Sequence, residues 1–247
     1  MLAELLHDLH AEQAVLDRLL AGISVDTWDR PTPAAGWTVR DQVAHLAYFD
    51  ELAALALAGG DRVEFDRLYQ RVRPQALGQP GAGLESSGLL AWWRRASASE
   101  VDAFSRVGPG TRVPWGPNVM AAPSLCTARL METWAHGLDC FAALGVEPVD
   151  TARLRHICHL AYRAIPHAFT VAEREQPAPL DQLHVQLTGP TGEHWQLGPV
   201  DAPQRIEGTA GEFARLAVQR MGLDEARSLR ASGDLATAAL KVLRAYL

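Results

Sequence analysis

The sequence predicts a mainly α protein: an antiparallel four-helix bundle over residues 1–147, followed by a small α+β unit over residues 151–247. Three observations lead there. Apolar residues recur at spacings of three and four in long segments up to residue 145, the pattern then changes to short runs broken by turn residues, and GVEPVD joins the two parts as a linker. A chain of 247 residues, 48% hydrophobic and 21% charged, carries ample apolar side chain for buried cores.

The first helix is expected over residues 2–21, where Leu2, Leu5, Leu6, Leu9, Leu16, Leu19 and Leu20 form one stripe that Gly22 ends. The second opens at Gly36-Trp37-Thr38, with Thr38 as N-cap and Asp41 as a variant capping-box partner, and runs to Gly59. A short helix near 61–72 and the breaker-rich loop PQALGQPGAG follow. Residues 85–106 make the third long helix and 122–144 the fourth, ended by Gly145. In the second part, residues 151–175 read as a helix that Pro166 should kink or divide. The runs 183–188 and 194–197, separated by GPTGE, read as a β-hairpin. A short strand at 205–207 and helices at 209–221 and 233–246 complete it.

Net charge is −6, and no Lys/Arg cluster offers the footprint of a nucleic-acid binder, so a small-molecule partner fits better. Lys241 is the only lysine among 23 basic residues, a skew that fits codon usage in a GC-rich genome. No signal peptide opens the chain and no stretch is apolar for the roughly 18 residues of a membrane span, so a cytoplasmic protein with no membrane contact is expected, as monomer or homodimer. Cys126, Cys140 and Cys158 follow no CxxC pattern and read as reduced thiols, Cys140 as a small apolar filler. P-loop and dinucleotide-binding fingerprints are missing.

The fourth long helix carries the chemistry. Leu130, Trp134, Leu138 and Phe141 form its apolar stripe, yet Arg129, Glu132, His136 and Asp139 form a second, polar one. Glu132 and His136, at i and i+4, project side by side and can share a cation; an exposed ion pair is the bland alternative. His45, in TVRDQVAHLAYF, lies on a helix apolar on two faces, which suits either a hydrogen-bonded core histidine or a ligand. In an antiparallel bundle all three stand at a similar depth. Two imidazoles and one carboxylate with a vacant position are the ligand set of a catalytic zinc, whereas structural zinc normally has four protein ligands.

The segment PTPAAGWTVRDQVAHL, followed by RLMETWAHGLD, resembles the mycothiol-dependent maleylpyruvate isomerase family of the DinB-like metalloenzyme superfamily. TGPTGEHWQLGP and RIEGTAGEFARLAVQR resemble the same family's C-terminal domain, which is similar to sterol-carrier-protein domains. The resemblance implies His45, Glu132 and His136 as ligands of zinc or another first-row divalent metal, and mycothiol as thiol cosubstrate. It implies a transferase or isomerase: a thiol in the vacant metal position loses its proton, and the metal-bound thiolate attacks an electrophilic carbon of a small substrate. Asp139 is the candidate acceptor or proton shuttle, Arg129 and Arg220 are candidate anion-binding groups near the mouth, and Trp115, in the loop VPWGPN, is the candidate pocket wall. A metal-dependent hydrolase, a tailoring enzyme of a biosynthetic pathway and a non-catalytic metal- or ligand-binding protein are the alternatives on the same scaffold.

Overall fold

In the computed structural model, which describes residues 2–59, 62–71 and 83–245, the protein is mostly helical with two small sheets. It separates into two units, Met1–Pro148 and Val149–Leu247.

In the first unit, α1 (Leu2–Ala21), α2 (Val39–Leu57), α4 (Ser86–Ser105) and α5 (Ala122–Leu144) pack on one another, α2 against α4 and α5, α1 against α4 and α5. Their shared core holds Leu16, Leu20, Trp28, Val39, Val43, Leu46, Leu89, Trp93 and Cys140, all buried. Each such large aliphatic or aromatic side chain contributes roughly 1.5–3 kcal/mol by leaving water.

Helix α2 starts where the sequence places it. The Thr38 backbone N–H donates to Asp41 Oδ2 at 2.8 Å and the Asp41 N–H to Thr38 Oγ1 at 3.3 Å, a reciprocal capping box. Helix α5 ends at Gly145 with φ 67°, the Gly145 N–H reaching the Ala142 carbonyl and the Val146 N–H the Phe141 carbonyl at 3.0 Å, a Schellman closure that needs a left-handed residue. The short helix α3 (Arg62–Arg71) lies between, while the loop PQALGQPGAG falls almost wholly outside the described residues.

Two elements of this unit escape the sequence reading. A 3-10 turn occupies Val25–Asp29. The segment containing VPWGPN is not a loop but the antiparallel hairpin β1 (Arg112–Trp115) and β2 (Asn118–Ala121), with Trp115 paired to Asn118. Its two-residue turn is Gly116-Pro117; Gly116 at φ 58° followed by proline is the chemistry of a type II′ turn.

The second unit contains α6 (Leu154–Val171), α7 (Ala210–Ala217) and α8 (Asp234–Val242) with a sheet of order β4-β3-β5-β6. The expected hairpin is present: β3 (Leu183–Thr188) pairs antiparallel with β4 (His194–Leu197), and Glu193 closes the turn by accepting from Thr191 N–H and Oγ1. Strand β5 (Gln204–Thr209) is longer than expected and runs parallel to β3, and β6 (Arg230–Ser232) is an unforeseen edge strand. Pro166 does not divide α6, which runs through it. Helices α7 and α8 are shorter than expected; after α7 the backbone turns at Gln219, with φ 60°. No helix among the described residues is long and apolar enough to cross a membrane.

Candidate metal centre

Helices α2 and α5 each present polar groups to the other in one continuous order. Gln42 meets His136, His45 meets Glu132, and Asp50 meets Arg129, so residue numbers rise along α2 as they fall along α5. That order makes the two helices antiparallel neighbours and brings His45, Glu132 and His136 together. Their ligand atoms all lie within 4.8 Å of one another, and among the described residues this is the one cluster of three or more His, Cys, Asp or Glu groups so placed. Glu132 Oε2 is 3.1 Å from His136 Nε2 and 3.5 Å from His45 Nε2, and the two imidazole centroids are 4.3 Å apart.

A chain of hydrogen bonds fixes the His136 tautomer. The Trp37 carbonyl can only accept, so the Thr32 hydroxyl donates to it at 3.0 Å. The Thr32 oxygen then accepts from Gln42 Nε2 at 2.9 Å, which turns Gln42 Oε1 toward His136 Nδ1. Nδ1 therefore carries a proton, which leaves Nε2 as the His136 atom that faces the Glu132 carboxylate. A carboxylate oxygen 3.1 Å from one imidazole nitrogen, with a second imidazole nitrogen close by, calls for a positive charge among the three: a proton in the metal-free protein, or a cation in its place. A divalent cation accepts all three, so the residues fit a metal.

Electrostatics agree. Burial lowers the His45 imidazole from 6.5 to about 4; the charge of His136 adds to this and the Glu132 contact opposes it, so His45 is the neutral form a metal requires. Burial alone would raise Glu132, but hydrogen bonds from His136 and His45 outweigh it and hold the carboxyl well below its usual range. His45 is 8% exposed, and the side chain of Glu132 is 26% exposed. The His45 Nδ1 atom is buried without a hydrogen-bond partner.

Aromatic rings surround the pair of imidazoles. Trp37 stacks on His136 with centroids 5.8 Å apart and meets the edge of His45 at 5.4 Å. Phe49 lies 4.6 Å from His45 on the other side. Trp115 lies one ring further out, 6.2 Å from both Phe49 and Phe65 and 6.3 Å from Tyr69. Helix α3, which brings Phe65 and Tyr69, is tied down by Arg62 Nη2 donating to the Gly116 carbonyl and by the Tyr48 hydroxyl donating to the Leu68 carbonyl.

The other polar residues singled out from the sequence have partners of their own. Arg129 is not at a mouth: it is 1% exposed, with Nη2 on Asp50 Oδ1 at 2.6 Å and Nε on Glu100 Oε1 at 3.2 Å, so its charge is consumed inside the helical core. Asp139 is buried and is not the acceptor for His136, whose two ring nitrogens meet Gln42 and Glu132. Arg220 belongs to the second unit, where it donates to the Val218 carbonyl at 2.8 Å. Cys140 is fully buried, and burial together with the Asp139 charge pushes its thiol far up, which makes it inert. Sequence reasoning missed Gln42 and Trp37 as parts of the centre. The signal for Gln42 was an amide one turn before His45 on a helix otherwise apolar at those positions.

Comparison with known proteins gives the same direction. The chain is 38% identical, over 97% of its own length and 93% of theirs, to uncharacterized proteins from two strains of Mycobacterium tuberculosis. Its fold is similar to the crystal structure of mycothiol-dependent maleylpyruvate isomerase, with a TM-score of 0.59 at 16% identity, and to that of a histidine-to-alanine mutant of the same enzyme, with a TM-score of 0.63 at 18% identity. Each comparison covers 94% of this chain and 93% of the other. Residues 9–141 match the family model described as the mycothiol maleylpyruvate isomerase N-terminal domain. The chain, matched over more than half its length, therefore belongs to the mycothiol maleylpyruvate isomerase N-terminal domain family.

Proposed function

We propose that this protein is a metal-dependent, thiol-using transferase or isomerase, with zinc as the metal and mycothiol as the thiol, acting on a small electrophilic substrate. In this reading the first unit is a DinB-like four-helix bundle and the second a sterol-carrier-protein-like domain, working in the cytoplasm. The observation that carries it is the convergence of three electron-pair donors, one of them locked in its tautomer by Gln42 and Thr32, in a chain of this family.

His45, Glu132 and His136 would hold the metal, whose charge lowers the pKa of a thiol enough to make it a nucleophile at neutral pH. Around it the chain's own groups divide the work. Gln42 keeps the His136 proton on Nδ1, Trp37 and Phe49 cover the imidazoles and keep water from them, and Trp115 forms the outer wall of the substrate space. Asp139, three residues beyond His136 on α5, is proposed as a proton shuttle. Arg129 acts through the carboxylates that hold it, without touching substrate.

The test is a calorimetric titration of the zinc-loaded protein with mycothiol, with glutathione and cysteine as controls, followed by assay of conjugation and of cis-trans isomerisation. Binding of mycothiol in preference to both controls is expected. Zinc-loaded protein that binds none of the three thiols contradicts the reading and favours the hydrolase.

A further inference from the structure

Beside the candidate metal centre lies a second polar assembly, to which every long helix of the first unit contributes. Arg129 of α5 holds Asp50 of α2 and Glu100 of α4; Trp93 Nε1 of α4 donates to Asp50 Oδ2 at 3.1 Å, and Gln13 Nε2 of α1 to Glu100 Oε2 at 3.0 Å. Asp50 and Glu100 are fully buried. Burial raises both carboxyl groups, Glu100 well above its ordinary value, with the neighbouring Asp50 charge adding to its rise and the Arg129 guanidinium opposing it in both.

Stability does not explain such an assembly. A buried ion triad costs several kcal/mol per ion in lost hydration, and well-packed apolar side chains of the same volume generally hold a core as well or better. What directed hydrogen bonds add is register. Two apolar helix faces can slide by a fraction of a turn at small cost, whereas a guanidinium gripped by carboxylates from two other helices cannot follow. Asp50 lies five residues beyond His45, about 7.5 Å along α2, and Arg129 three residues before Glu132, about 4.5 Å along α5. The ion pair is thus the rung next to the ligands on the same two helices, and Gln42–His136 is the rung on the other side.

We propose that Arg129, held by Asp50 and Glu100, is a positioning residue that fixes the register of α2 against α5 and so presets the spacing of His45 to Glu132 and His136 for a divalent cation. This rests on the metal reading above.

The experiment compares wild type with Asp50→Asn, Arg129→Met and the apolar triple variant Asp50→Leu/Glu100→Met/Arg129→Met, the last built to fold without buried charge. Arg94→Gln, which breaks only the exposed Arg94–Asp17 pair, is the control. Zinc affinity is read by calorimetry and ligand geometry by the visible spectrum of the cobalt(II) form, on every variant with wild-type far-UV circular dichroism. A rise in zinc Kd of about 10- to 100-fold, with weakened and shifted cobalt bands, is expected for the clamp variants and no change for Arg94→Gln. Folded clamp variants with wild-type zinc affinity and cobalt spectrum overturn the positioning role and leave the metal reading standing. Wild-type protein that takes up neither ion overturns both. A series in which every clamp variant fails to fold places Arg129 in folding itself and overturns the proposal.

Discussion

His45 shows how much one buried nitrogen base can do to a fold. In the metal-free protein its imidazole titrates near 4, against 6.5 when exposed in the unfolded chain. Between those values the unfolded chain binds a proton that the folded chain refuses, so stability is complete above about 6.5 and is lost as pH falls toward 4, by up to about 3 kcal/mol. Urea denaturation of metal-free protein at pH 7 and pH 4.5 should show this loss, and His45→Gln should remove most of that pH dependence. A wild-type curve flat across the interval would place His45 in a wetter environment than the one described. Gln42 offers a second test at this scale. Gln42→Leu removes the acceptor that keeps the proton on His136 Nδ1, and zinc Kd should rise about 10- to 100-fold with helical content unchanged. The pairing of Glu132 with His136 is legible because polar groups at i and i+4 on a helix with its own apolar stripe are a pattern, whereas His45 is singled out as their partner only through the family resemblance. Arg129 was legible only as polar; nothing in its spacing distinguishes a guanidinium facing solvent from one neutralised by Asp50 and Glu100, which come from helices far away in sequence.

The long helices follow from local rules strong enough to act alone. Thr38 and Asp41 satisfy each other's backbone donors, and Gly145 supplies the left-handed closure, so both ends of the ligand-bearing region are written into a few adjacent residues. Thr38→Ala should cost about 1 kcal/mol in denaturation and fray the turn that carries Gln42. Gly145→Ala, placing a side chain at φ 67°, should cost roughly 1–2 kcal/mol. Neither loss would be expected if these helix ends were held mainly by tertiary contacts. Short elements obey no comparable rule. Strands β1 and β2 have four residues each, and Pro114 and Pro117 read as loop signals; only pairing across the Gly116-Pro117 turn makes them a hairpin. Strand β6, three exposed residues, exists because β5 offers an edge, and β5 itself extends past its apolar centre for the same reason of pairing.

At the scale of the molecule, periodicity gives the order of the long helices and of strands β3 to β5 but not β1, β2 or β6, and the family resemblance singles out His45, Glu132 and His136, which the fold brings together. Which strands pair in parallel depends on partners 21 residues apart, such as Leu183 with Gln204, and how α1 meets α4 and α2 meets α5 depends on contacts made across more than eighty, such as Gln13 with Glu100 and Gln42 with His136; none of these has a local signature. The account stands or falls on a dication held by two imidazoles and one carboxylate with room left for sulfur. X-ray absorption at the zinc edge, on protein with and without mycothiol, reads that coordination directly. Nitrogen and oxygen ligands alone at about 2.0–2.1 Å are expected without thiol, and one sulfur at about 2.3 Å after its addition. A sulfur ligand already present in the thiol-free protein, or none after saturation with mycothiol, contradicts it.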